Sequence, residues 1–236
     1  MDKQQAIIQM FDDISPTYDR LNRILSFGID RRWRKKGCEA ALNAFASAPN
    51  ALIDAATGTG DLILCWRKAA KKFGVAIDQI IGVDPSQNML NIAASKIKDA
   101  TFIKSEAGAI PLEDNFADLL SISYGIRNVV KIDKAIGEFY RLLKNGGVLL
   151  ILEFMSHKRK SVFDRLVSFY LGSVLPAIGR LISKDSRAYT YLPQSIESFL
   201  SAEELEEKLK NAGFKIIQIK DETFKISTRF IAQKPQ

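Results

Sequence analysis

The stretch Leu52-Ile53-Asp54-Ala55-Ala56-Thr57-Gly58-Thr59-Gly60-Asp61-Leu62 constrains this chain more than any other. It reads as a short buried strand, a tight glycine turn and the start of a helix. Gly58 and Gly60 let the backbone turn sharply and approach a ligand with no Cβ in the way. The helix that follows opens with unpaired N–H groups. A second apolar run, Ile80-Ile81-Gly82-Val83, ends in Asp84, 30 residues after Asp54. An acid at the tip of that next strand can hold the two hydroxyls of a ribose. The pair of features points to a nucleoside-bearing cofactor. Ile63 stands where a G-x-G-x-x-G motif needs its third glycine, which argues against a dinucleotide. S-adenosyl-L-methionine has a ribose and no pyrophosphate, and is the better fit. An ordinary strand-to-helix turn would carry similar glycines, so the loop alone does not decide the matter.

From Ile53 onward, strand and helix signals alternate. The expected strands are Ala51–Ala55, Ile80–Asp84, Thr101–Lys104, Ala117–Ser123, Val148–Glu153, Lys215–Lys220 and Phe224–Gln233. Helical segments fall between the first five, at Asp61–Phe73, Ser86–Lys98 and Lys131–Leu143, and Asn145-Gly146-Gly147 supplies a stop after the last. Alternation of this kind predicts a parallel sheet covered on both faces. The last two strands share a short turn near Asp221-Glu222, so the sheet becomes mixed at one edge. Two regions are additions. Residues 1–48 read as a helical extension. Residues 158–200 interrupt the passage from the fifth strand onward with apolar runs at Val162–Leu171 and Ile178–Ile182. Asp164, Arg165, Pro176 and Arg180 break these runs too often for a membrane-spanning helix. A helical lid packed on the domain, or a lid lining a greasy substrate pocket, suits them.

The 236 residues suffice for one α/β domain with such additions. Two cysteines, Cys38 and Cys65, form neither a disulfide framework nor a Cys-x-x-Cys site, and His157 is the only histidine. No metal is expected, and a Ser-His-Asp triad is nearly excluded. Met1-Asp2-Lys3-Gln4-Gln5 lacks the regions of a signal peptide, so the expected compartment is the cytoplasm. The net charge is +7, with its densest cluster at Arg31, Arg32, Arg34, Lys35 and Lys36. A solvated helix face or contact with anionic lipid fits this cluster better than nucleic acid does. Trp33 within it has the character of an interfacial anchor.

Ligands of open α/β sheets sit beyond the carboxyl ends of the strands. After the third strand, Glu106 could accept from an adenine amino group, with Ala107 flanking the ring; an exposed loop glutamate is an equally good reading. After the fourth, Ser123-Tyr124-Gly125-Ile126-Arg127-Asn128 places an Arg-Asn pair beside the methyl donor, where it could orient a substrate oxygen. The Asp/Asn-Pro-Pro-Tyr/Phe motif common in enzymes that methylate base amino groups is missing there. Neither cysteine is placed to attack a pyrimidine ring. An RNA methyltransferase is therefore disfavoured, and another small-molecule methyltransferase remains the alternative. A non-catalytic subunit of the same fold conflicts with the intact loop and Asp84.

Several separated motifs, in order, resemble those of the ubiquinone/menaquinone biosynthesis C-methyltransferase family (demethylmenaquinone methyltransferase-like). Near the start these are Phe11-Asp12-Asp13-Ile14-Ser15-Pro16-Thr17-Tyr18-Asp19 and Asn22-x-x-Leu25-Ser26-Phe27-Gly28. Further on are Asp54-x-Ala56-x-Gly58-Thr59-Gly60-Asp61, Tyr124–Asn128, Leu152-Glu153-Phe154 and Tyr189-Thr190-Tyr191-Leu192-Pro193-Gln194-Ser195-Ile196. The resemblance covers nearly the whole chain. It implies a Rossmann-like class I S-adenosylmethionine-dependent methyltransferase, a single domain over 1–236 whose seven-stranded, mostly parallel sheet has an antiparallel last strand. It implies cofactor contacts at Thr59, Asp84, Glu106, Ala107 and Ser123, which join Asp54, Gly58 and Gly60 of the loop. It implies substrate-side roles for Tyr18, Arg127 and Asn128. The acceptor it implies is a prenylated quinol, with membrane-surface contact and a homodimer as further expectations and no nucleic acid. The chain departs from the family pattern at Thr57, where glycine is frequent, at Glu106, where Asp or Asn is usual, and in Phe224–Phe230, which lacks a glycine and a histidine many members carry there.

Overall fold

The computed structural model describes residues 2–45, 48–156 and 187–236. Seven strands form one sheet in the order β3-β2-β1-β4-β5-β7-β6. They are β1 (Ala51–Ala55), β2 (Gln79–Asp84), β3 (Thr101–Lys104), β4 (Ala117–Ser123), β5 (Leu143–Glu153), β6 (Lys215–Glu222) and β7 (Ser227–Gln233). The pairs from β3 through β5 are parallel; β7 runs antiparallel to both β5 and β6. The described helices are α1 (Lys3–Leu25), α2 (Ile29–Ala44), α3 (Asp61–Phe73), α4 (Gln87–Lys96), α5 (Ile132–Leu142), α6 (Arg187–Glu197) and α7 (Ala202–Asn211). The parallel strands join through α3, α4 and α5, as the alternating sequence pattern predicts.

All five residues of β1 are buried. This is the signature of a parallel strand covered on both faces. Its side chains alternate between two cores. Leu52 joins Trp33, Cys38, Ala41, Leu62, Ile63 and Trp66 under α2 and α3. Ile53 and Ala55 join Ile136, Phe139, Leu205 and Leu209 under α5 and α7. From β1 the chain winds outward through β2 to β3, then returns to place β4 on the other side of β1. The carboxyl ends of β1 and β4 therefore flank the point where the winding reverses, the place where such sheets bind ligands.

Two boundaries differ from the sequence reading. Asn145-Gly146-Gly147 does not separate a helix from a strand: it lies inside β5, which begins at Leu143 directly after α5. Gly146 holds φ +80°, and a Cβ on Gly147 would come within 2.8 Å of the Lys144 carbonyl oxygen. The register with β4 slips between Ala117 and Leu119, so the glycines serve a bulge. The β6–β7 turn also falls later than Asp221-Glu222. Both residues remain paired, with Thr228 and Ser227, and Thr223, Phe224 and Lys225 make the reversal with positive φ. At the sheet margins, β3 is four residues long, and β6 is mostly exposed, with a register shift at Ile217. The expected lid over 158–200 falls largely outside the described residues; its described tail carries α6.

Candidate functional site

A pocket opens at the reversal point. Its floor is made by the strand ends: Ala56 and Gly58 after β1, Asp84 and Pro85 after β2, Glu106 and Ala107 after β3, Ser123, Tyr124 and Gly125 after β4. Its roof is α1, which contributes Gln4, Ile7, Ile8, Phe11 and Tyr18. Those positions recur at helical spacing and so share one face.

The floor is held rigidly by buried polar groups. Asp54 is almost fully buried and accepts hydrogen bonds from the Thr57 hydroxyl at 2.6 Å and the Ser121 hydroxyl at 2.7 Å. The Trp66 indole N–H donates to Ser121 in turn, at 3.0 Å. Thr57, where the family often has glycine, thus gives the loop a side-chain anchor. Burial raises the Asp54 carboxyl to about 6, against the two hydroxyl donors. Ala56 and Tyr124 both adopt left-handed backbone at φ +48° and +56°, a strained choice for residues with side chains. Gly125, the residue after Tyr124, packs against Ala56: a Cβ on it would lie 2.5 Å from the Ala56 methyl.

Asp84 aims its carboxylate into this pocket. One oxygen accepts the Gly58 N–H and the other the Ser86 N–H, both at 2.9 Å. Burial lifts it to about 6 as well, opposed by those two donors. At Gly58, φ is +55° and an added Cβ would meet nothing within 4 Å. Bare backbone faces the pocket there, as close approach to a ligand requires. Gly60, at φ +84°, caps α3, and a Cβ on it would strike Ile97 at 2.6 Å. An acid, exposed backbone and a helix start around one pocket fit a nucleoside-bearing cofactor such as S-adenosyl-L-methionine. Among the described residues, no group of three His, Cys, Asp or Glu could hold a metal ion.

Of the residues singled out from sequence, Tyr18, Gly58, Asp84, Glu106, Ala107, Ser123 and Asn128 line the pocket. Asp54, Thr59, Gly60 and Arg127 do not. Thr59 is turned to the roof, donating its hydroxyl to Asp19 at 2.5 Å. The Arg127 side chain is 7% exposed and ion-paired with the fully buried Glu153 at 2.5 Å; it also donates to the Tyr124 carbonyl at 2.9 Å and to the Ser195 hydroxyl at 3.3 Å. The Asn128 side chain accepts from the Tyr191 hydroxyl at 2.9 Å, so α6 fixes the amide. Burial pushes the Tyr18 phenol up, opposed by an Asn22 hydrogen bond and the charges of Arg34 and Arg127. Trp33 is no interfacial anchor: its indole is buried and donates to Thr223 at 2.9 Å.

The attachments of the roof were missed by sequence reasoning. Pro16 inside α1 has no N–H, which leaves the Asp12 carbonyl without its helical donor. That carbonyl instead accepts from the Ser15 hydroxyl at 2.9 Å and the Asn88 side chain at 3.3 Å. The Asp12 carboxylate accepts from the Ser86 hydroxyl and the Asn88 backbone N–H, giving the start of α4 a cap from another helix. Asp19 pairs with Lys96, and Gln4 reaches the Asn128 carbonyl and the Val130 N–H. A proline four residues after an acid was the available signal.

A family model described as the ubiE/COQ5 methyltransferase family matches residues 1–234. A Campylobacter jejuni protein named ubiquinone/menaquinone biosynthesis C-methyltransferase UbiE is 48% identical over 234 residues, covering 99% of this chain and 100% of that one. A Bacteroides fragilis protein named demethylmenaquinone methyltransferase is 37% identical over 240 residues, covering 98% and 94%. A solved Thermotoga maritima structure, described as a SAM-dependent methyltransferase, superposes with a TM-score of 0.61 at 20% identity, covering 97% and 99%. At that identity the likeness concerns the fold.

Proposed function

The chain belongs to the ubiE/COQ5 methyltransferase family, and we propose that it transfers a methyl group from S-adenosyl-L-methionine to a ring carbon of a reduced, prenylated quinol in respiratory quinone biosynthesis. The observation that supports this most is the meeting of two families of groups in one pocket: a nucleoside-type floor at Gly58 and Asp84, and the Tyr18–Asn128 pair at its substrate end. The whole chain is read as one methyltransferase domain, in which α1 of the 1–48 extension roofs the site and 158–200 is an insertion in the sequence after β5.

The cofactor supplies an electrophilic methyl on a sulfonium. Asp84 would hold the ribose hydroxyls, Gly58 would let the backbone approach, and Glu106 and Ala107 would flank the adenine. A quinol carbon beside a hydroxyl becomes a nucleophile when that hydroxyl loses its proton. A phenol titrates near pH 10 by analogy with tyrosine, so the site must favour the ionised form. Asn128, fixed by Tyr191, can donate to the developing oxygen charge. Arg127 contributes its buried positive charge from behind Asn128 and pins the turn through Glu153. Its role is therefore positioning and field rather than direct contact. Tyr18 closes the pocket from above. Holding methyl and carbon in line supplies most of the acceleration.

The test is to incubate the protein with labelled methyl donor and a demethylated naphthoquinol or benzoquinol, each chemically reduced. Label on a ring carbon is the expected result, and its absence from both quinols overturns the reading. The same assay tells which quinol is the acceptor.

A further inference from the structure

Between β3 and β4 the chain crosses residues 105–116 without helix or strand. This loop brings Glu106 and Ala107 to the pocket. The two ride on a tight turn: the Glu106 carbonyl accepts the Ala109 N–H at 3.1 Å, and the Ala109 carbonyl accepts the Ser105 hydroxyl at 2.6 Å. Among the described residues no side chain orients the exposed Glu106 carboxylate. Its position is set by the backbone beneath it.

That backbone is fastened just downstream by two side chains of α5. Arg141 uses all five of its N–H donors. Nε and Nη2 pair with the Glu138 carboxylate, each at 2.9 Å. Nη2 also donates to the Ile110 carbonyl at 3.1 Å, and Nη1 donates to the Leu112 carbonyl at 2.8 Å and the Asp114 carboxylate at 2.7 Å. The Glu138 oxygen that receives Nη2 accepts the Ile110 N–H as well, at 2.7 Å. Both backbone groups of Ile110 thus end on this one pair. The Arg141 carbonyl takes the Asn115 N–H at 2.9 Å, where the loop leaves for β4. The Ile110 side chain is buried with Ala135, Ile136 and Phe139, so the loop is pressed against α5 at the same point. Arg141 is a third exposed, and an exposed ion pair by itself contributes little. What distinguishes this one is the set of backbone groups gathered on a planar fork, which an ammonium cannot reproduce.

We propose that Arg141 and Glu138 are positioning residues for recognition of the cofactor's purine: by fixing the backbone at Ile110 and Leu112 they set where Glu106 stands, and so let the site prefer a 6-amino purine to a 6-oxo purine. The inference rests on Glu106 facing the adenine, as in the proposed function. A 6-amino group donates to the carboxylate, whereas a 6-oxo group turns a carbonyl oxygen against it. Neither α5 residue lines the pocket; both act through the loop.

The experiment is calorimetry of the full chain, without quinol, using S-adenosyl-L-homocysteine and S-inosyl-L-homocysteine. The unaltered protein should bind the adenosyl ligand about tenfold to a hundredfold more tightly, the worth of one charge-assisted hydrogen bond. Arg141→Met keeps the apolar stem and should shrink that ratio to about threefold or less. Arg141→Lys keeps the charge beside Glu138 without the fork and should lose most of the ratio. Glu138→Gln keeps an oxygen for the Ile110 N–H and should retain most of it. A merely structural role would weaken both ligands by one factor and leave the ratio intact in both Arg141 variants; that result overturns the proposal and spares the Glu106 assignment. Equal binding of the two ligands by the unaltered protein removes the Glu106 assignment and this proposal with it. Neither outcome bears on methyl transfer to a quinol, which is measured separately.

Discussion

The two walls of the pocket are built on opposite principles. The floor is sheet backbone, buried and fixed through Asp54, Ser121, Trp66, Glu153 and Arg127. The roof is one amphipathic helix, attached by pairs that water can replace: Asp12 to Ser86 and Asn88, Asp19 to Lys96 and Thr59, Gln4 to the Asn128 turn. A floor of that kind holds its shape without a ligand. The roof is held by polar pairs at Gln4, Asp12 and Asp19 and by the buried Ile7, Met10 and Ile14 between them. On the proposed function, recognition of the cofactor falls to the floor and access to the roof.

The contrast is broken most severely from below. Glu153→Ala leaves the Arg127 guanidinium buried without its anion, and should cost about 3–5 kcal/mol of folding stability in thermal or urea unfolding. A loss under 1 kcal/mol would mean that the floor is not held by this pair. Asn128→Ala, where floor and roof meet, should slow single-turnover methyl transfer about a hundredfold while cofactor affinity stays near normal. Equal loss of both would make Asn128 a scaffold residue. Asp84→Ala should weaken S-adenosylmethionine by about 2–3 kcal/mol in calorimetry, and unchanged affinity would remove its ribose role.

A pH series sharpens the same point. With its carboxyl near 6, Asp84 is about nine-tenths protonated at pH 5, so affinity should fall about tenfold between pH 7 and pH 5. Stability runs the other way. A carboxyl raised by burial favours the native state fully below about pH 4, and that contribution is lost as pH climbs through 6. Asp54, also raised to about 6, adds in the same sense. The smallest effect belongs to the roof. Asp12→Ala removes one outside cap from α4 and should cost about 1 kcal/mol. It should speed cofactor exchange in stopped flow more than it lowers the melting temperature; the reverse would make α1 part of the rigid core.

The floor was legible because strands and glycine turns speak through local residue types. Gly58, Gly60 and Asp84 carry their geometry in the sequence, and the strand boundaries followed from apolar runs ended by turn residues. The exceptions are instructive. Gly146-Gly147 reads as a helix stop, yet a bulge needs the same residues. Trp33 sits in a run of cations, yet helical periodicity turns it inward. The roof was legible as a helix and not as a roof. Asp12 meeting Ser86, or Asp19 meeting Lys96, joins residues 74 and 77 apart, and no local pattern announces such pairs. Arg127 showed its charge but not its partner, since Glu153 approaches it from a neighbouring strand.

The margins of the sheet carry a consequence of their own. A strand edge with free N–H and C=O groups invites a further strand from another molecule. Here one margin, β3, offers only four residues, and the other, β6, is bent by its irregular register at Ile217 and studded with Lys215 and Lys220. Neither presents a long flat template. Crowded copies of this protein are thereby steered away from joining into a continuous sheet, and any oligomer is left to helices and loops. At high local concentration, two short, awkward edges give the folded chain resistance to fibril formation.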